Sequence, residues 1–166
     1  MPVTIIVLAA GASKRLGHPK QLVVVDGETL LARAYRIAIA VAPTIVVTRR
    51  EFAFGNALIN EHAEEGMASS IRLGVAACDG DVLLMTCDQP HVTSSHLRAL
   101  IDADAPIAAT AYAGIAGVPA FFSAEFRDEL LALRGDVGAR SVIERHRDVV
   151  VAIPLPEAEL DVDVRR

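Results

Sequence analysis

Apolar residues fall into two alternating kinds of run along this chain. Short stretches rich in β-branched residues, 3–9, 44–48, 57–60, 81–87, 106–112 and 148–153, are several times apolar without alternation, the pattern of strands covered on both faces. Longer stretches between them, 29–41 (TLLARAYRIAIAV), 67–78 (MASSIRLGVAAC), 94–103, 124–133 and 138–147, repeat apolar residues at spacings of three and four, which predicts helices. Strands alternating with helices predict βαβ units, and the expected architecture is a three-layer α/β/α Rossmann-like fold around a mostly parallel sheet. No internal repeat or linker interrupts the pattern, so 1–166 is expected to form one domain. In open α/β sheets ligands sit beyond the carboxyl ends of the strands. That rule directs attention to GASKRLGHPK, NEHAEEGMASS and DQPH, and further along to the GVPA turn and RGDVGAR.

Composition narrows the classes. The chain is 52% hydrophobic and 22% charged, with seven aromatic residues, as a globular protein requires, and its apolar runs are far shorter than the roughly 20 residues of a membrane span. MPVTIIVL has neither a basic leader nor a cleavage pattern, so no signal peptide and a cytoplasmic location are expected. A net charge of −5 with scattered arginines argues against a nucleic-acid partner. Cys78 and Cys87 form no C-x-x-C pattern and read as small buried residues. The five histidines lack ligand spacing and are expected at exposed or loop positions.

Positive charge becomes informative locally. The chain holds fourteen arginines and two lysines, and both lysines, Lys14 and Lys20, lie with Arg15 in one glycine-punctuated loop after the first strand. Small residues Ala9, Ala10 and Gly11 would let a ligand approach the backbone, and three cations in seven residues suit phosphate, although a solvated basic turn has the same composition. The loop matches neither the P-loop nor G-x-G-x-x-G.

LAAGASKRLGHPKQL resembles the signature loop of the MobA-like nucleotidyltransferase family, L-A-[AG]-G-x-S-x-R-x-G-x-x-K, and in particular its molybdenum cofactor cytidylyltransferase branch. The matching residues are Leu8, Ala9, Ala10, Gly11, Ser13, Arg15, Gly17 and Lys20. EGMASSIRLGV, CDQP, GVPAFF, RGDVGAR and the terminal LDVDV resemble further blocks in the same order.

The resemblance implies a nucleotide-diphospho-sugar transferase type of fold and transfer of a nucleoside monophosphate, CMP from CTP, to a phosphorylated acceptor, molybdopterin first, with release of pyrophosphate. It assigns Leu8, Ala9, Ala10, Gly11, Ser13, Lys14, Arg15, Lys20, Gly66 and Ser70 to the nucleotide, with Ser70 at the base. Arg15, Lys20 and Asp88 become the catalytic set, and Mg²⁺ the expected cofactor, held by Asp88 and Asp161. Gly117, Pro119 and Arg140 would face the acceptor, and a molybdoenzyme or its chaperone is an implied partner. Ala10 leans toward a pyrimidine, because the AAG loop accompanies cytidine in the family and AGG guanosine. Several assignments have alternatives: Asp88 capping the next turn, Ser69 or Ser70 capping a helix, Asp136 capping the next, and Asp163 in place of Asp161 as a metal ligand. The closing DVDVRR departs from the family's D-I-D-T-P-E-D after three positions. A GTP-using enzyme, transfer to a sugar phosphate, and a non-catalytic nucleotide-binding module stay open as other readings.

Overall fold

The computed structural model describes residues 2–11 and 17–159. Seven strands form one sheet in the order β5-β4-β1-β6-β8-β7-β9, from β1 (Val3–Ala9), β4 (Thr44–Thr48), β5 (Leu58–Ile59), β6 (Asp81–Thr86), β7 (Ile107–Tyr112), β8 (Ile115–Phe122) and β9 (Val150–Pro154). A separate small hairpin pairs β2 (Val24–Val25) with β3 (Glu28–Thr29). Among the described residues only β8 runs against its neighbours; every other pairing in the large sheet is parallel.

The helices are α1 (Leu30–Ile39), α2 (Met67–Ala76), α3 (Ser94–Ile101), α4 (Arg127–Leu131) and α5 (Arg140–Arg145). Successive strand side chains point to opposite faces, and here both faces are covered. Ile6, Leu8, Leu84 and Phe122 pack with α2, α4 and α5, whereas Ile5, Val7, Leu83, Met85 and Phe121 pack with α1 and α3. Two cores on one sheet explain why β1 and β6 read as continuous apolar runs. Thr29 starts α1 by accepting a hydrogen bond from the Ala32 N–H, and Thr93 does the same for α3 through His96.

Three expectations need correction. GVPA is not a turn: Gly117 and Pro119 lie within β8, and the turn before it is made by Ala113 and Gly114, both at positive φ. The pairing passes from Ala109↔Ala120 to Thr110↔Gly117, so Val118 and Pro119 bulge out of the β7 ladder, which tolerates a residue without an N–H. The stretch 124–133 divides into a 3-10 turn, Ala124–Phe126, and the short α4, while 138–147 shortens to α5. The hairpin at 24–29 carries too few residues to show a strand period.

Candidate functional site

The chain leaves β1 for β4 on one side and later returns through β6 on the other, so the β1/β6 boundary is the topological switch point. Ala9, Ala10 and Gly11 leave the carboxyl end of β1 there, beside Cys87 and Asp88 leaving β6. Lys20 opens a 3-10 turn, Lys20–Leu22, and its Nζ lies 3.1 Å from Asp88 Oδ2 across 68 residues of sequence. Both side chains are largely covered, 18% and 15% exposed, so solvent screens the pair less than it would a surface bridge. Thr86 donates its hydroxyl to the other carboxylate oxygen at 2.6 Å, fixing the plane of Asp88.

The loop root is built from the backbone outward. Leu8 and Ala9 bury their side chains in opposite cores, so only their backbone can face a ligand. The Ala9 carbonyl accepts from the Thr48 hydroxyl at 3.1 Å and from Gln21 Nε2 at 2.8 Å; the same amide donates to Gly11 at 3.1 Å. Among the described residues, a Cβ built on Gly11 meets nothing within 4 Å, so their packing leaves that space open. Ser13, Lys14 and Arg15 lie outside the described residues, as does Asp161.

Beside this root is an open cavity of about 300 Å³ lined by Ala10, Arg49, Arg50, Glu51, Asn60, Glu61, Ala63 and Glu64. Its buried wall is Asn60, which follows β5 and donates from Nδ2 to the hydroxyls of Ser69 and Ser70, both at 2.9 Å, while its Oδ1 accepts from the His62 N–H. Neither serine is a helix cap. Gly66 holds that position in α2, and Ser69 turns its hydroxyl back to the Gly66 and His62 carbonyls. Ser70 accepts from Asn60, which leaves its own hydroxyl hydrogen available.

The amides at the start of α2 are less free than the sequence suggests: Ala68 N–H donates to the Gly135 carbonyl at 3.2 Å and Ser69 N–H to Gly66 at 3.3 Å. Gly66 sits at φ 119°, and a Cβ there would stand 2.6 Å from the Gly135 carbonyl oxygen and 2.7 Å from Asp136 Cα. The RGDVGAR loop therefore packs on this glycine. Asp136 does not cap α5, whose N-terminal flank is Ala139, and Arg140 is exposed, donating from Nε to Glu144 one turn on. Gly117 has a tertiary reason of its own, since a Cβ would lie 2.9 Å from the Tyr112 hydroxyl.

The bulge of β8 is satisfied from both sides. Thr110 donates to the Pro119 carbonyl at 2.6 Å, so the contact of 2.9 Å between its hydroxyl oxygen and His96 Nε2 requires that nitrogen to carry a proton. His96 is thus a buried histidine, against the exposed or loop position expected of it; burial also lowers its pKa. Gln89 Nε2 donates to the Val118 carbonyl at 3.3 Å and to Ala158 at 3.2 Å. Cys87 is buried beside Asp88; burial first, then that carboxylate, pushes its thiol up to about 12, so it offers no thiolate at neutral pH. Cys78 is only partly buried.

Thr86, Asn60, Gln21 and Gln89 carry no sequence signal for their roles. Gln21 and Gln89 stand inside KQL and CDQP, but their work is visible only through carbonyls distant in sequence. Among the described residues no group of three or more His, Cys, Asp or Glu is placed to hold a metal, and no helix is long and apolar enough to cross a membrane.

The model of the MobA-like NTP transferase domain matches residues 5–149. The chain belongs to that family. It is a nucleotidyltransferase chain with the family's α/β fold, as the signature loop implied. It is 28% identical over 161 residues to the purine catabolism protein PucB of Bacillus subtilis, covering 82% of this chain and 78% of the relative. A probable molybdenum cofactor guanylyltransferase of Nostoc is 35% identical over 98 residues, 54% of this chain and 47% of the relative, so the match spans about half of that enzyme. Among solved structures, Rv0371c of Mycobacterium tuberculosis superposes with a TM-score of 0.82 at 30% identity, covering 99% of this chain and 93% of the other. A second structure of that protein, in complex with manganese, gives a TM-score of 0.74 at 26% identity, covering 94% and 89%.

Proposed function

We infer that the chain transfers CMP from CTP to a small phosphorylated acceptor, molybdopterin in the first instance, releasing pyrophosphate. One observation carries the reading: Lys20 and Asp88 meet 3.1 Å apart at the switch point of the sheet, beside the open backbone of Gly11. An ammonium from this family's loop held against a carboxylate at the end of β6 supplies both signs of charge that a triphosphate and its cation require.

The acceptor's phosphate oxygen is anionic near neutral pH, so it attacks the α-phosphorus without a strong base; a P–O bond forms to it and the bond to pyrophosphate breaks. Lys20 takes the α-phosphate as charge gathers there, and Lys14 and Arg15, by their places in the loop, take the β- and γ-phosphates. Asp88 offers hard oxygen ligands of the kind Mg²⁺ takes together with substrate phosphates, so the residues present fit that ion. It would be held by Asp88 with Asp161 and would neutralise triphosphate charge. A relative solved with manganese supports a divalent cation. The base enters the cavity beside Ala10 and Asn60, whose amide holds Ser70 behind it, where the Ala10 Cβ narrows the slot and favours a pyrimidine. Gly117, Pro119 and Arg140 are proposed on the acceptor side, and a molybdoenzyme or its chaperone as recipient, in the cytoplasm.

A second reading is GTP in place of CTP, favoured by relatives named as probable guanylyltransferases. A thermal-shift panel of CTP, GTP, ATP and UTP, with and without Mg²⁺, separates the two. Metal-dependent stabilisation by CTP alone supports the first, by GTP alone the second, and by none of the four overturns both. Asp88→Ala is expected to abolish pyrophosphate release while metal-free nucleotide binding persists; near-normal turnover would remove Asp88 from the mechanism. Lys20→Ala is expected to lower kcat more than it raises KM.

A further inference from the structure

We propose that Gln21 and Gln89 are a matched pair of positioning residues that set the two halves of the site, the loop root and the cation end. Each follows a charged partner of the central ion pair directly in sequence, Lys20–Gln21 and Asp88–Gln89. Each is more than nine-tenths buried, 1% and 7% exposed. Both direct their amide nitrogen at two backbone carbonyls. Gln21 Nε2 joins Ala9 to Gly11 across the root of the loop, at 2.8 and 3.1 Å. Gln89 Nε2 joins Val118 in the β8 bulge to Ala158 in the 3-10 turn Pro156–Glu159, at 3.3 and 3.2 Å.

Four carbonyls fix how both amides are turned, because the reverse orientation would set oxygen against oxygen at every contact. Each amide then spends both hydrogens, and among the described residues each Oε1 is left buried without a partner. An orphaned acceptor is a cost to folding. Two residues that each bear this cost in one site, each beside a charged residue, are placed for geometry. The Gln21 clamp sets the direction of the peptides at Ala10 and Gly11, the donors a phosphate would meet. The Gln89 clamp holds to the end of β6 the turn that precedes Asp161 by two residues in sequence, and ties the β8 bulge to the same point.

The assignment rests on the functional reading above, and one experiment separates the two. Calorimetric titration of CTP, and of GTP, ATP and UTP in turn, into wild type, Gln21→Met and Gln89→Met, with and without Mg²⁺, reads the two halves independently through the nucleotide that binds; Met keeps the length and removes the donors. Gln21→Met is expected to weaken metal-free CTP binding about tenfold or more by misplacing the cradle. Gln89→Met is expected to leave metal-free binding unchanged and to raise the Mg²⁺ concentration needed for half of the metal effect about tenfold, as loss of outer-shell support does. Equal losses in both variants, in proportion to a lowered Tm, would show ordinary structural roles and overturn the assignment, as would two unchanged variants. Where a Met variant does not fold, the Asn variant, its donors set back by one methylene, is read in the same way. A wild type that binds none of the four nucleotides overturns the functional reading and this assignment with it; a wild type that binds normally, with variants that do not split, overturns this assignment alone.

Discussion

Lys20 and Asp88 show how much of a site one residue can carry. Their types and their places in LAAGASKRLGHPKQL and CDQP were legible in sequence; their meeting was not, since 68 positions separate them. Thr86, Asn60 and the two glutamines escaped notice because an amide or hydroxyl acquires a role only through its partners, and those lie on other elements. Cys87 allows a direct check at this scale. With its thiol pushed up to about 12 and its side chain buried, it is expected to resist a thiol reagent at pH 8, while the partly buried Cys78 reacts slowly. Peptide mapping after labelling of native and urea-unfolded protein tests this; early labelling of Cys87 in the native chain would contradict its burial.

Among elements, α2 and β8 decide the shape of the site, and both were only half visible. α2 was legible from its periodicity, but its N-terminus is closed by the loop at Gly135 against a glycine whose positive φ and close backbone neighbours penalise any side chain. Gly66→Ala is expected to lower stability by about 1–3 kcal/mol from the positive φ alone, with more from contact with the backbone at 135 and 136; denaturant titration measures it. β8 was read as a turn because its Gly and Pro are punctuation in most sequences, and it became a strand because side chains satisfy the bulge around Pro119.

The same bulge predicts a pH dependence. Burial lowers the pKa of His96, so below its ordinary value of about 6.5 the unfolded chain binds more protons than the folded one. The stability that neutral His96 contributes is present above that value and is lost as pH falls through the folded pKa, with a slope of at most about 1.4 kcal/mol per pH unit. His96→Gln keeps a donor for Thr110 and is expected to flatten the fall in stability between pH 6.5 and 5. An unchanged slope would assign the fall to other groups.

At the scale of the molecule, the sheet is buried on both faces, and adjacent residues of β6 test that. Leu83 and Leu84 are both 0% exposed and belong to different cores. Leu83→Ala and Leu84→Ala are each expected to cost about 2–5 kcal/mol, measured by urea unfolding; in a sheet with one wet face one of the two would be nearly silent. Amino-acid order by itself determined the class of fold, the family and six strands of the large sheet in outline, β1, β4, β5, β6, β7 and β9, because hydrophobic period and loop chemistry are local properties of the chain. Only the tertiary structure decided which strand reverses, which histidine is buried, and that Lys20 and Asp88 form one charged centre between two glutamine clamps. Those depend on contacts between residues far apart in sequence, and such contacts exist only once both faces of the sheet have been covered.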